Sequence, residues 1–261
     1  MNARIVALSL LFVCAAATAQ PAGPGTVLVT GANRGLGFEL AKQYAVRGWT
    51  VIATARNPQE ATELNALAAS DDDVAVETLD VRDAAQLAAL AAKYRGKPID
   101  VLINNAGVLG DLDAQALGAL DYDEFAEVMA VNVFAPLAVS DAFREHVAQS
   151  KRKKIVAITS RSGIISLPGW RGPYFYRASK VALNMQMRML ADELRESGIV
   201  VAVVAPAPTD TDMLRQLIGA QGAAQQARPA DSAAGLVDLI ERVDAERSGQ
   251  PLFVDGSVLP W

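Results

Sequence analysis

From Thr26 onward, short apolar runs rich in valine and isoleucine alternate with longer stretches in which apolar residues recur every three to four positions. The first pattern suits strands and the second suits amphipathic helices. Strands are predicted near 26–30, 49–55, 74–79, 100–104, 153–159, 199–205 and 251–254, and helices near 36–47, 59–69, 84–93, 121–148, 174–197 and 229–243. Gly48 and Gly198 stand where two of these helices should stop, since glycine tolerates the left-handed backbone of a helix end. Strands joined by crossover helices build a parallel sheet covered on both faces. The expected fold class is therefore α/β, a single doubly wound sheet of seven parallel strands flanked by helices. Gly219 to Ala224 has glycine and alanine without a regular apolar stripe and is predicted to be a mobile loop.

Composition supports one large domain: 261 residues, 51% hydrophobic and 20% charged, can bury a substantial core. A formal net charge of −5 counts against a nucleic-acid partner, which requires clustered positive charge. Small molecules are the expected partners. The basic run Lys151-Arg152-Lys153-Lys154 reads as a solvated turn. With one cysteine, Cys14, and one histidine, His146, no internal disulfide, metal site or thiol or histidine nucleophile is expected. His146 reads as part of a solvated helix face.

Cys14 lies in a segment that has the three parts of a secretory leader. Arg4 supplies the charge, Ile5 to Ala17 the apolar run, and Ala17 and Ala19 the small residues around Thr18. Residues 1–19 are expected to be removed, leaving a domain over 24–261 in the periplasm or outside the cell, with no stable membrane anchor. A mis-called start ahead of a cytoplasmic protein is the alternative reading.

The first strand runs into Thr30-Gly31-Ala32-Asn33-Arg34-Gly35-Leu36-Gly37 and then a helix. Such a loop lets the backbone approach a pyrophosphate at a helix start, the arrangement of a Rossmann-type nucleotide site. A purely structural glycine turn has the same appearance. The second strand ends on Arg56 and has no acidic residue there to hold a ribose hydroxyl. Arg56, with Arg34 from the loop, suits a 2′-phosphate, so NADP(H) is favoured over NAD(H). Asp80 and Val81 follow the third strand and suit an adenine ring, while Asn104, Asn105, Ala106 and Gly107 end the fourth. These residues are also ordinary turn formers.

Tyr176 and Lys180 stand four apart on one predicted helix and so share a face. A cation there favours a phenolate, and the tyrosine pKa is expected to fall toward working pH. Ser160 ends the fifth strand, within reach of a substrate carbonyl, and Asn132 lies in the long fourth helical region.

The glycine loop, Asn-Asn-Ala-Gly and Tyr-x-x-x-Lys, in this order and approximate spacing, resemble the short-chain dehydrogenase/reductase family over nearly all of residues 25–261. Tyr176 to Asn184 and the ending Asp255 to Trp261 are most similar to C-factor-like and carbonyl-reductase-like members. The resemblance implies hydride transfer between NADP(H) and a carbonyl or alcohol, with a tetrad of Asn132, Ser160, Tyr176 and Lys180. Tyr176 would be the general acid or base and Ser160 would orient the carbonyl. Lys180 would hold the nicotinamide ribose, and Asn132 would position a water that relays protons to Lys180. Pro206, Thr209 and Thr211 would line the nicotinamide end.

Two departures stand out. Ser160 lies further ahead of Tyr176 than is usual, so Leu167 to Trp170 reads as an insertion at the substrate mouth, with Ser162 as the backup assignment. The family's Pro-Gly is Pro206-Ala207 here. Trp170, Phe175 and Met213 suggest an apolar mouth. The rival reading is a dinucleotide-binding signalling or interaction protein with little or no turnover. A homo-oligomer is compatible with the apolar helices, whose outer faces look the same as core-facing ones.

Overall fold

In the computed structural model, which describes residues 23–167 and 172–261, the seven expected strands are β1 (Thr26–Val29), β2 (Thr50–Ala55), β3 (Val74–Thr78), β4 (Val101–Asn104), β5 (Lys154–Ile158), β6 (Val200–Ala205) and β7 (Pro251–Phe253). All neighbours pair in parallel, in the order β3-β2-β1-β4-β5-β6-β7. The predicted fold class is thus the observed one. The expected leader over 1–19 and the Leu167–Trp170 insertion lie outside the described residues, except for Leu167.

Helices α1 (Gly35–Val46), α2 (Thr62–Ser70), α3 (Ala84–Lys93), α4 (Tyr122–Met129), α5 (Ala135–Ala148), α6 (Tyr174–Glu193), α7 (Asp212–Ala223) and α8 (Pro229–Arg242) cover the sheet. Strand side chains alternate between two cores. Val27, Val29, Val51 and Ile103 meet Leu40 and Tyr44 of α1 and Leu236 and Ile240 of α8. Leu28, Ile52, Leu102 and Ile155 meet Phe143 of α5 and Leu183 and Met187 of α6. Asp83 and Asp121 cap α3 and α4 by accepting first-turn N–H groups, which satisfies donors that the helix itself cannot.

Three expectations change. The predicted helix at 121–148 is two α-helices joined by a π-helical stretch, Ala130–Phe134. Pro136 has no N–H to return to the Asn132 carbonyl four residues back, so α-helical bonding cannot run unbroken there. The segment expected to be a mobile loop belongs to α7, broken at Gly219 by a non-helical φ of 79°. His146 and Lys154 are buried rather than solvated. His146 Nε2 bonds the Ala91 carbonyl and its ring packs on Phe143, while Lys154 opens β5 and reaches the end of α8.

Candidate active site

Strand order reverses between β1 and β4, and the loops leaving their carboxyl ends form the crevice expected to hold a ligand. On the β1 side the chain turns at Gly31, whose φ is +64°, and α1 begins at once. A Cβ on Gly37 would stand 2.2 Å from the Gly31 carbonyl oxygen and 2.4 Å from Asn105 Nδ2, so no larger residue fits there without moving backbone. Asn105 shapes this cradle. Its Nδ2 donates to the Thr30 and Gly31 carbonyls at 2.9 and 3.0 Å, and Thr30 Oγ1 accepts from the backbone N–H groups of Asn105 and Ala106. No side chain caps α1 at Arg34, which leaves its first-turn N–H groups facing the crevice side of the loop. Next door, Asn104 donates to Ser140 while its buried Oδ1 has no partner. A cradle with no room for a Cβ at Gly37, an uncapped helix start and a buried unpaired acceptor fit a dinucleotide.

Asn33, Arg34 and Arg56 are exposed around that cradle, and Leu36 is half-buried. Arg34 pairs with Asp212 at 3.1 Å, both side chains being well exposed. Beyond β3, Asp80 is held by a two-pronged contact with Arg82, which also grips Glu127. The Arg82 hydrogen bonds hold the Asp80 carboxyl below its ordinary range, with a smaller contribution from the charge of Arg56. Val81 is buried beside Ala106 and Val131.

On the other side of the crevice, α6 carries Tyr176 and Lys180, both buried. Lys180 Nζ donates to the Ile158 carbonyl at the end of β5 (3.0 Å) and lies 5.6 Å from the Tyr176 ring centre. Gly107 abuts both Asn132 Oδ1 and Lys180 Nζ, so three expected site residues meet. Ser160 lies beside the Tyr176 phenol, where it favours the phenolate, and its Oγ accepts from the Ser162 N–H at 3.1 Å. The serine beside the tyrosine is therefore Ser160, and Ser162 supports it.

The expected lowering of the tyrosine pKa is corrected by this geometry. Burial raises the Tyr176 phenol above its ordinary value, and the Ser160 bond offsets this only in part. Burial also lowers Lys180 to about 8, because both groups are withdrawn from water and the charged form of each loses hydration.

Asn132 sits in the π-helical stretch with its side chain fully engaged. Oδ1 accepts from Val108 N and Nδ2 donates to Val108 O, each at 2.8 Å, and Nδ2 also reaches Ser179 Oγ. Beyond β6, half-buried Pro206 and Ala207 lead to Thr209, whose hydroxyl bonds the Ala207 carbonyl and Ser232. Thr211 caps α7 and stands against Gly35. Thr30 and Asn105 stand inside motifs visible in the sequence, which does not show the bonds between them, whereas Gln115 belongs to no local pattern.

A nucleotide cradle on one side of the switch point and a tyrosine–lysine pair on the other place the protein among the α/β oxidoreductases. The short chain dehydrogenase pattern matches residues 25–221, and the chain belongs to that family. The C-signal of Myxococcus xanthus is 36% identical over 165 residues, covering 63% of this chain and 93% of that protein. The NADPH-bound carbonyl reductase from chicken fatty liver superposes with a TM-score of 0.80 at 30% identity, over 90% of this chain and 98% of that one. The carbonyl reductase Sniffer of D. melanogaster gives 0.82 at 26% identity, over 91% and 100%.

Proposed function

We propose that the protein transfers a hydride between NADP(H) and a small carbonyl or alcohol substrate, with Tyr176 as the general acid or base. The contact between Ser160 and the Tyr176 phenol, one helical turn from a buried Lys180, carries the reading. A carbonyl oxygen seated at these two hydroxyls would accept a hydrogen bond from each. Tyr176 then gives its proton to that oxygen in reduction and takes it back in oxidation. Ser160, held by the Ser162 N–H, orients the oxygen. Lys180 in its charged form favours the phenolate left behind and holds the adjoining ribose. The Asn132 side chain is engaged with Val108 and Pro136 has no N–H to offer its main-chain carbonyl, so that carbonyl would hold a relay water. When bound, the nicotinamide supplies or accepts the hydride.

The glycine loop, Asn104, Ala106, Gly107, Pro206 and Thr211 would hold the dinucleotide, with Arg56 and Arg34 at the 2′-phosphate. Arg34 would leave Asp212 to do so, and an exposed pair of that kind is worth about 0–1 kcal/mol. The NADPH-bound carbonyl reductase among the similar structures supports this preference.

Tyr176→Phe is expected to lower NADPH-dependent turnover of a carbonyl panel by about 10²–10⁴-fold while NADPH binding, followed by fluorescence, persists. Arg56→Asp is expected to move preference toward NAD. Wild-type rates in the first variant would end the reading, and tighter binding of NAD than NADP by the native protein would end the cofactor assignment. Similarity to the C-signal supports a second reading, a dinucleotide-binding signalling protein. NADPH binding without turnover of any carbonyl would favour it.

A further inference from the structure

Gln115 lies on the connection between β4 and α4, 61 residues before Tyr176. It is 2% exposed, and every hydrogen-bonding position of its amide is filled. Nε2 donates to the Leu109 and Asp111 carbonyls, both at 3.0 Å. Oε1 accepts from the backbone N–H groups of Phe175 and Tyr176, at 2.9 and 3.2 Å.

Those two donors belong to the first turn of α6, a helix that starts at Pro173 without a side-chain cap of its own. A helix start leaves such N–H groups without intrahelical partners. The oxygen that satisfies them comes from another segment. The same amide fixes two carbonyls of the loop that leaves the carboxyl end of β4. Phe175 also packs edge-on against Phe125 of α4 at 5.3 Å, so the start of α6 is held by one polar and one apolar contact from the same stretch of chain.

We infer that Gln115 is a positioning residue: its side chain caps the tyrosine-bearing helix from the β4–α4 loop and sets where the Tyr176 phenol lies against Ser160. The inference rests on the proton-transfer reading of Tyr176. Replacing Gln115 by leucine leaves the Phe175 and Tyr176 N–H groups and the Leu109 carbonyl buried without that partner, a local loss of the kind that lets a helix start drift. Misplacement by about 1 Å can cost about a hundredfold in rate. Glu keeps an oxygen for the helix and gives up the loop-side donors.

The test compares the native protein, Gln115→Leu and Gln115→Glu by circular dichroism, NADPH affinity, carbonyl-reductase kinetics and NMR of ring-labelled tyrosine, with the Tyr176 signal assigned by its loss in Tyr176→Phe. Gln115→Leu is expected to lower kcat by about 10–100-fold, keep the Kd for NADPH within about twofold, and displace the Tyr176 resonance. Gln115→Glu keeps the helix-side acceptor but sets its second oxygen against the Leu109 and Asp111 carbonyls, and is expected to restore both only in part. An unmoved Tyr176 resonance in the leucine variant overturns the inference. If the native protein reduces no carbonyl, the proton-transfer reading fails, while the resonance still decides whether Gln115 places the phenol.

Discussion

At Lys180 the low-dielectric setting has a consequence for cofactor binding. Its amine titrates at about 8 because burial penalises the ammonium. The negative charge that a bound dinucleotide brings into the crevice would favour the charged form and raise that value, so binding takes up a proton. A ligand that raises a pKa binds more weakly once pH exceeds the unliganded value. The Kd for NADPH is therefore expected to increase as pH rises through about 8, by up to about tenfold per unit. Fluorescence titrations across that range should show the slope, and Lys180→Met should flatten it. A slope unchanged in the variant would assign the effect elsewhere. The pair on one helical face was legible from its four-residue spacing, but the direction of the Tyr176 shift was not. Spacing reports which groups are neighbours, whereas desolvation depends on everything packed around them.

Among the elements, the foot of β5 shows how a basic run enters a core. Lys154 Nζ donates to the Ile240 and Glu241 carbonyls at 2.6 and 2.8 Å, satisfying the end of α8 and meeting the negative end of its dipole. Arg152 pairs with Glu241 and lies over the Trp49 ring at 4.4 Å. Lys154→Met is expected to lower stability by about 1–3 kcal/mol, seen as a lower urea midpoint with little change in slope. Strand positions were readable to within a residue or so because buried parallel strands are almost continuously apolar. Lys151 is exposed as a solvated turn requires, but the burial of Lys154 is not visible in the run because its partners sit on α8, far along the chain. Helix α7 was missed for a different reason: Ala223 is its one buried residue, so it has no apolar stripe to read. The π-helical stretch left a trace in Pro136, yet a proline inside a helical pattern announces a break without saying which kind.

Across the whole molecule, the site draws on loops that follow β1, β3, β4, β5 and β6, and none of them completes it alone. Crevice and glycine loop were foreseeable from motif order; the bonds that tie one loop to another were not, because they join distant segments, 74 residues apart for Asn105 and Gly31 and 60 for Gln115 and Phe175. Asn105, which ties the β4 loop to Thr30 and Gly31, is one case and Gln115 another. A dinucleotide should recognise only the assembled sheet and so shift the unfolding equilibrium by mass action. The melting temperature is expected to climb with NADPH concentration, each tenfold excess over Kd adding about 1.4 kcal/mol. A differential scanning experiment that found no dependence would mean that the cradle does not hold the nucleotide.

The bonds from Asn105 to the glycine loop also give folding an order. Thr30 and Gly31 leave the first strand early in the chain, but the side chain that shapes them arrives only after two further β–α units have been made and β4 has docked beside β1. A nascent chain on the ribosome is therefore expected to capture no nucleotide until its first four strands, through Asn105 of 261 residues, have emerged, and nucleotide added during synthesis acts no earlier than on that intermediate.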